Sequence, residues 1–303
     1  MSHFIIGLFI MIGVMVGCSS APPQKIIDLS DLSPLAETPK PDIIPLRVSV
    51  AAVISPRSTV ESYQPLLDYL SKALQRPVEL VQRRTYQETN DLLESGEVDI
   101  AFVCTSAYVI GHDDFNMRLL VAPSVNGNAT YQSFLIVPTD SQAQTIADLQ
   151  QTVFAFTDPI SNSGRVYPTY LVQQLGYTPE TFFKRTFFTY SHDDAIYAVA
   201  NGLADGAAVD SLVYEYALER NPTLAQKIRV IHQSPTFGIP PVVISPNLRP
   251  QTIAMLQEVL LNMKNTSDGK TVLSALGIDD FILIEDSAYE SARTLISQVG
   301  DLP

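Results

Sequence analysis

Cysteine is scarce in this chain, which has only Cys18 and Cys104 among its 303 residues. Cys18 follows the N-terminal apolar run, where we expect it to be modified, so Cys104 has no partner for an intramolecular disulfide. Cys104 ends a second apolar run, which favours a packed core residue over a nucleophile. Disulfide bonds therefore do not define this fold, although export is still expected.

Positive charge is scarce as well. Lysine and arginine number 19 against 32 aspartates and glutamates, so the formal net charge is −13. This balance argues against a nucleic-acid-binding surface. It leaves room for a small buried anion site, because local dipoles and hydrogen bonds govern binding once water is excluded.

The motifs of several enzyme classes are missing. The chain has no Gly-x-Ser-x-Gly elbow, Walker A loop, paired zinc ligands or dinucleotide-binding glycine motif. Ser163, His192 and Asp210 are the residue types of a hydrolase triad, but their order along the chain differs from the standard arrangements. We therefore expect a protein that is not an enzyme and uses no cofactor or metal, with hydrolysis by these three residues as an alternative.

The N-terminal apolar run, Phe4 to Val16, is too short for a membrane-spanning helix, which takes about 20 residues. It fits the core of a signal peptide, and Met15-Val16-Gly17-Cys18 resembles a bacterial lipobox. We expect a signal peptide at 1–17, a lipid on Cys18, and a flexible tether rich in proline and acidic residues over 18–45. The exported protein would then be held at a membrane. An ordinary secretory signal or an uncleaved anchor is the alternative.

From Leu46 onwards, strand-like runs alternate with amphipathic helical runs. A capping box at Ser58 and Glu61 predicts the start of one helix, and another at Thr85 and Glu88 predicts the next. Strand after helix after strand indicates an α/β fold with mostly parallel sheets flanked by helices.

One phrase recurs in the two halves of the chain. Gly96-Glu97-Val98-Asp99-Ile100-Ala101 is similar to Gly202-Leu203-Ala204-Asp205-Gly206-Ala207, and each precedes polar residues that open a helix. The repeat favours two lobes of one architecture over chance similarity. Because ligands bind beyond the carboxyl ends of strands in open α/β sheets, Thr105, Ser106 and Asp210 should lie around one cleft with residues 161–163.

The segment Asp158-Pro159-Ile160-Ser161-Asn162-Ser163-Gly164 follows an apolar strand and opens a helix-like run that Gly176 ends. Two hydroxyls and a glycine at a helix N-terminus combine unpaired backbone N–H groups with the positive end of the helix dipole. The segment predicts a site for a small tetrahedral oxyanion. An ordinary helix cap is the alternative.

Two further side chains suit such a site. His192 lies just before apolar helix positions and after a predicted N-cap at Ser191, and a neutral imidazole N–H can donate to an oxyanion. Asp210 ends a strand, and it belongs in an anion site only where it accepts a hydrogen bond from a protonated P–O–H, a ligand amine or a histidine. A solvated first-turn histidine and an exposed helix cap are the alternatives.

The stretch from Arg47 to about Pro246 resembles the periplasmic substrate-binding proteins of phosphonate and phosphite ABC transporters. The supporting phrases are Tyr63-Gln64-Pro65-Leu66-Leu67-Asp68-Tyr69-Leu70, Gly96 to Phe102, Asp158 to Gly164, Ser191-His192-Asp193, Val209-Asp210-Ser211 and Thr236-Phe237-Gly238-Ile239-Pro240-Pro241. The resemblance implies a type II binding fold of two lobes joined by two crossing segments. Lobe 1 would comprise 46–137 plus 240–303, and lobe 2 would comprise 138–239.

The resemblance also implies roles for particular residues. Ser161, Asn162, Ser163 and Gly164 would bind the oxyanion, with His192 and Asp210 from the same lobe. Tyr63, Thr105, Ser106 and Tyr108 would close the site from the other lobe. Asn162 stands where the family usually has threonine.

Several partners are compatible with this resemblance. The ligand would be phosphonate, phosphite or a related phosphorus oxyanion, with a sulfonate or sulfate as the alternative. The closed protein would act as a monomer that presents its ligand to an ABC permease. A ligand-sensing lipoprotein that signals to a membrane sensor kinase is the other possibility.

Overall fold

The structure is a computed structural model that describes residues 44–300. The predicted signal peptide at 1–17, Cys18 and residues 18–43 of the predicted tether lie outside the described residues. The strands are, in chain order, β1 (Leu46–Val50), β2 (Val78–Val81), β3 (Ile100–Phe102), β4 (Arg118–Ser124), β5 (Thr130–Tyr131), β6 (Ser133–Pro138), β7 (Val153–Phe156), β8 (Arg185–Phe188), β9 (Gly206–Asp210), β10 (Ile228–Gln233), β11 (Phe237–Gly238), β12 (Val242–Ile244) and β13 (Asp280–Ile282).

Helices connect most of these strands. They are α1 (Pro56–Leu74), α2 (Tyr86–Glu94), α3 (Thr105–Phe115), α4 (Tyr167–Gln174), α5 (Pro179–Phe182), α6 (His192–Ala200), α7 (Ser211–Arg220), α8 (Pro250–Leu261), α9 (Ser267–Leu276) and α10 (Glu290–Val299). A π-helical turn, Asn162–Val166, leads into α4, and short 3₁₀ turns lie at Ile146–Leu149, Pro222–Gln226, Met263–Asn265 and Asp286–Tyr289. No helix within residues 44–300 is both long and apolar enough to cross a membrane.

Local signals explain where two helices begin. At α2 the predicted capping box is confirmed: the Thr85 hydroxyl accepts from the Glu88 N–H, and the Glu88 carboxylate accepts from the Thr85 N–H. The capping box predicted at Ser58 is wrong, because α1 already begins at Pro56 with Ser55 as its N-cap. Proline is favoured at the first helical position, where its missing N–H costs nothing.

The first sheet has six strands in the order β13-β4-β12-β3-β1-β2. β1 pairs in parallel with β2 and β3, whereas β12 pairs antiparallel with β3 and β4, and β13 pairs antiparallel with β4. The second sheet has five strands in the order β10-β6-β9-β7-β8. β7 pairs in parallel with β8 and β9, and β6 pairs antiparallel with β9 and β10. Two α/β sheets are confirmed, but each is mixed around a parallel three-stranded part.

Two short segments carry the chain between the sheets. β5 and β11 pair antiparallel, with Tyr131 opposite Phe237. β6 lies in the second sheet and β12 in the first, so the sheets divide the chain at residues 125–132 and 234–241. The predicted boundary at 137 is therefore too late, because an apolar run such as β6 does not reveal in which sheet it pairs. Below, the first lobe is the part built on the six-stranded sheet and the second lobe the part built on the five-stranded sheet.

Apolar side chains form four clusters. One cluster packs around Leu46, Val48 and Ile100 in the first lobe, and two pack against the second sheet. A further cluster joins the lobes: it contains Tyr131 and Val166 together with residues of α3 and α10. Cys104 is buried in this cluster, as predicted.

Candidate functional site

A buried loop follows β7 and forms the core of the site. Ser161 caps the π-helical turn, since its Oγ accepts the Gly164 N–H at 3.1 Å. The wide first turn arises because the Val166 N–H donates to the Ser161 carbonyl at 2.9 Å. Ser161, Asn162 and Ser163 are each at most 1% exposed and Gly164 is buried, so a ligand here would be stripped of water. We call Ser161 to Gly164 the serine loop.

Glycine is required at position 164 by close packing. A Cβ built on Gly164 would lie 1.8 Å from Thr157 Oγ1 and 2.7 Å from both carbons of that side chain. The Thr157 N–H also donates to the Gly164 carbonyl at 3.3 Å, which ties the loop to the end of β7. A larger residue would therefore push the serine loop out of place.

Several polar atoms of the serine loop have no hydrogen-bond partner in the protein. They include Ser163 Oγ and Asn162 Oδ1, which are both buried. Thr157 Oγ1, just after β7, is also buried without a partner. Leaving a buried polar atom unpaired costs about 1–3 kcal/mol. Atoms of this kind in a loop at a helix N-terminus are suited to contact a polar ligand.

His192 lies against the serine loop at the first position of α6, and its side chain is buried. The Asp210 N–H donates to Nδ1 at 3.0 Å, and Nε2 lies 3.4 Å from Ser161 Oγ. Burial lowers the pKa of His192 to about 3, so the ring is neutral near pH 7. Because a backbone N–H can only donate, Nδ1 is the acceptor and the ring proton is on Nε2, directed at Ser161.

Asp210 ends β9 and caps α7. Its Oδ1 accepts the N–H groups of Leu212 at 2.8 Å and Val213 at 3.3 Å. Burial raises the pKa of the Asp210 carboxyl to about 7, and these two hydrogen bonds oppose the rise. A carboxyl group that titrates near neutral pH can share a proton with an oxyanion instead of only repelling it.

The three residue types of a hydrolase triad meet here without the contacts of a triad. His192 Nε2 approaches Ser161, whereas Ser163 Oγ has no partner. Asp210 contacts the ring through its backbone N–H, and a triad needs a carboxylate that accepts from a protonated Nδ1. The geometry thus supports holding an anion better than activating a nucleophile.

The residues predicted from the first lobe divide into two groups. Thr105 Oγ1 donates to the Gly238 carbonyl at 2.7 Å, and Ser106 Oγ donates to the Ile160 carbonyl in a very short contact. Since each hydroxyl has one hydrogen and gives it to a carbonyl, both residues position the crossing segment and the serine loop. The Tyr108 hydroxyl donates to Asp286 at 2.8 Å, so its hydrogen is already used within the protein, and the predicted contact of Tyr108 with the ligand stays a prediction.

Tyr63 lies beside Asp210 rather than beside the serine loop. Its ring packs edge-to-face on Phe102 at 5.1 Å, and it lines a cavity of about 360 Å³ between the lobes that Asp210 also lines. Burial, with Tyr216 and Asp210 nearby, raises the pKa of Tyr63 to about 12, so its phenol is neutral.

Tyr86, which was not predicted from the sequence as a site residue, is the first residue of α2 and is fully buried. Its hydroxyl has no hydrogen-bond partner. Burial raises the pKa of Tyr86, and the nearby groups that add to this rise include Cys104, Asp158 and Asp210. The hydroxyl therefore lies in the same buried region as the serine loop. The Thr85–Glu88 capping box was the available signal, because it puts Tyr86 at the N-terminus of α2.

Hydrogen bonds from the second lobe also reach helix N-termini of the first. Asp193 Oδ1 accepts the Ser55 N–H at 2.8 Å, and its Oδ2 accepts from the Ser55 and Ser58 hydroxyls at 2.7 and 3.3 Å. We call Asp193, Ser55 and Ser58 the cross-lobe clamp. In the same way Asp158 Oδ2 accepts the Tyr86 N–H at 3.1 Å. Asp193 follows His192 directly in sequence, so the ring beside the serine loop and the carboxylate of the clamp lie in the same turn of α6.

Metal ligation has no support in the described part of the chain. Within residues 44–300, His, Cys, Asp and Glu side chains form no group of three that could hold a metal ion. The polar groups described above are hydroxyls, amide N–H groups, one neutral imidazole and one carboxyl of raised pKa.

The chain is similar in sequence and fold to several known proteins. A sequence model of one family, described as "ABC transporter, phosphonate, periplasmic substrate-binding protein", matches residues 48–289. The phosphate-import protein PhnD of Mycolicibacterium smegmatis is 26% identical over 278 residues, which cover 84% of this chain and 87% of that protein.

Two solved structures share the fold. A binding protein component of an ABC phosphonate transporter from Pseudomonas aeruginosa superposes with a TM-score of 0.79 at 24% identity, covering 84% of this chain and 86% of that one. PhnD1 of Prochlorococcus marinus in complex with methylphosphonate gives a TM-score of 0.74 at 20% identity, covering 82% of this chain and 96% of that one. These likenesses confirm the predicted two-lobed α/β fold.

Proposed function

The chain belongs to the family of periplasmic substrate-binding proteins of phosphonate ABC transporters, and on this premise we propose that it captures phosphonate, phosphite or a related phosphorus oxyanion for import. The observation that carries the proposal is the 3.4 Å approach of His192 Nε2 to Ser161 Oγ, beside a buried Ser163 hydroxyl without a partner. Hydroxyl and imidazole donors in a dry cleft can replace the hydration shell of such an anion.

The hydrogen-bond directions assign a role to each donor. Ser161 Oγ accepts from the Gly164 N–H and faces the N–H of His192, so its own hydrogen is left to donate to the ligand. Ser163 and Tyr86 each have a hydroxyl without a protein partner. We assign these three hydroxyls to the oxyanion, with Asn162 and Gly164 shaping the loop around it.

Asp210 supports a ligand that carries a proton. A carboxyl with a pKa of about 7 can accept a hydrogen from P–O–H or share one with P–O⁻. Sulfate carries no such proton at neutral pH, which favours phosphorus oxyanions over sulfate. The names of the relatives, a phosphate-import protein and a complex with methylphosphonate, point to the same class of ligand.

The family and the N-terminal sequence support a proposal for the location of the protein and for its partner. We propose that the chain is exported, is held at the membrane by a lipid on Cys18, and acts as a monomer that delivers its ligand to an ABC permease. The family description names a transporter, which favours import over a link to a sensor kinase. Mass spectrometry of the mature protein, which would find diacylglycerol on Cys18, tests the anchor.

Replacing Tyr86 with phenylalanine tests the ligand site. The variant loses one buried hydroxyl that has no protein partner, so the ligand-free protein should melt at the same temperature or higher. Its affinity for methylphosphonate, phosphite or phosphate, whichever binds, should fall about tenfold or more, because a hydrogen bond to an anion contributes about 1.5–3 kcal/mol. Calorimetric titration and thermal unfolding measure the two effects.

Tyr108→Phe is the matched control. This substitution removes a hydroxyl that already donates to Asp286, so the melting temperature should fall while affinity stays unchanged. If Tyr86→Phe binds as tightly as the parent, Tyr86 does not contact the ligand. If the parent protein binds no phosphorus oxyanion, the proposed function is wrong.

Replacing Asp193 with alanine tests capture by closure. The variant loses the cross-lobe clamp, so the closed form should be less populated and ligand should dissociate faster. We expect an affinity about tenfold weaker, because hydrogen bonds to a partly exposed carboxylate contribute about 1.4 kcal/mol in total. Stopped-flow release of the bound oxyanion measures the rate.

Asp194→Ala is the control for charge. It removes the same charge from the same helix turn, but the Asp194 carboxylate accepts from Ser191 within the second lobe. Dissociation from this variant should be close to that from the parent. Equal effects of the two substitutions would contradict a specific clamp.

A further inference from the structure

Asp210 lines the cavity between the lobes, and its backbone N–H also donates to the ring of His192. The cavity therefore adjoins the proposed oxyanion site at Asp210. Its volume is about 360 Å³, at the lower end of the range for small-molecule sites, which is roughly 300–1,000 Å³. A methyl group on phosphorus would fill only a small part of this space.

The walls near Asp210 are apolar and come from both lobes and from the crossing segment. They include Phe102, Val103, Leu212, Val213, Ile239 and Pro240. Tyr63 adds its ring, packed edge-to-face on that of Phe102. Such walls favour carbon over water, since burying each CH₂ group raises affinity roughly fourfold.

The charges that line the cavity have one sign. Besides Asp210, its acidic residues are Glu215, Glu219 and Asp279, and the lining residues include no lysine or arginine. Glu215, Glu219 and Asp279 are exposed, which places their charge at the open side of the cavity. A second anionic group on the ligand would be repelled there, whereas a neutral or cationic end would not.

We propose that this cavity receives the substituent on phosphorus, and that the ligand is a phosphonate with an apolar substituent of several carbons, an alkyl chain or an aryl ring, without a second anionic group. The inference rests on the proposed function, because the phosphonate group must occupy the serine loop for the substituent to enter the cavity. It deepens that function by separating organophosphonates of this kind from phosphate, phosphite and carboxyalkyl phosphonates.

Calorimetric titration with a phosphonate series tests the inference. Butylphosphonate and phenylphosphonate should bind at least about tenfold tighter than methylphosphonate, since each buried CH₂ corresponds to roughly a fourfold gain. 3-Phosphonopropionate, which ends in a carboxylate, should bind more weakly than methylphosphonate. If affinity does not rise from methyl to butyl or phenyl, the inference is overturned while the proposed function stands. If no member of the series binds, and phosphate and phosphite do not bind either, the proposed function itself fails.

A charge introduced into the wall gives a second test. Leu212→Lys puts an ammonium group into the apolar part of the cavity, so the preference for butylphosphonate over 3-phosphonopropionate should shrink at least about tenfold or reverse. Leu203→Lys is the matched control, because Leu203 is 65% exposed and does not line the cavity. An unchanged preference in Leu212→Lys would show that the substituent lies elsewhere.

Discussion

Gly164→Ala is expected to abolish binding of phosphonate and to lower the melting temperature of the protein. The added Cβ would lie 1.8 Å from Thr157 Oγ1 and 2.7 Å from Thr157 Cβ, distances that no relaxation of one side chain can absorb. The serine loop must therefore move, and with it Ser161, whose Oγ faces the His192 ring. Overpacking of this kind costs about 1–3 kcal/mol or more in stability. Calorimetric titration with methylphosphonate and thermal unfolding measure both losses.

Two further variants test whether the loss of binding comes from displacement of the serine loop. Gly111→Ala also creates a close contact, 2.3 Å from Met117 Cε, but that atom ends a flexible side chain in the first lobe and can move aside. Its affinity should equal that of the parent. Thr157→Ala, combined with Gly164→Ala, removes Oγ1 and Cγ2, two of the three hindering atoms, and should restore part of the binding. Full binding by Gly164→Ala alone would mean that the loop tolerates displacement and does not position the ligand.

The sequence allowed the second-lobe half of the site to be predicted, for a physical reason. Ser161, His192 and Asp210 each lie where a strand ends and a helix begins, and the caps at these positions are local features. Parallel strands bring their carboxyl ends to one edge of a sheet, so three local signals also gave a long-range prediction. The structure brings these three residues together.

The first-lobe half could not be predicted in the same way. Tyr86 and Tyr108 both follow strands of the first sheet in helices, yet one hydroxyl is buried without a partner and the other donates to Asp286. Asp286 lies far along the chain in a 3₁₀ turn, so nothing local to Tyr108 reveals that contact. The clamp was missed for a related reason. From the sequence, Asp193 is an acidic residue in the first turn of α6, where it would stabilise that helix. In the structure it accepts hydrogen bonds from Ser55 at the start of α1, in the other lobe.

Two substitutions of His192 should separate its effect on stability from its effect on affinity. His192→Ala leaves the buried Asp210 N–H without an acceptor and opens a cavity, so both the melting temperature and the affinity should fall, the affinity about 100-fold. His192→Asn keeps an acceptor oxygen near the position of Nδ1, so it should lose less stability. It has no donor at the position of Nε2, however, and its affinity for methylphosphonate should fall nearly as far. His112→Ala, which alters a histidine paired with Asp113 in the first lobe, serves as the control and should bind as the parent does.

The dependence of stability on pH tests whether the folded protein holds the His192 ring in its neutral form. Burial lowers the pKa of His192 to about 3, below its value in the unfolded chain. Between about pH 6.5 and pH 3, His192 is therefore protonated in the unfolded chain but stays neutral in the folded protein. The parent loses stability as the pH falls through this range. His192→Asn lacks this loss, so the gap in free energy of unfolding between parent and variant should narrow from pH 8 to pH 5. A gap that widens on acidification would mean that the folded protein holds the imidazole charged, and a charged ring would bind the anion by ion pairing instead of by a neutral N–H donor.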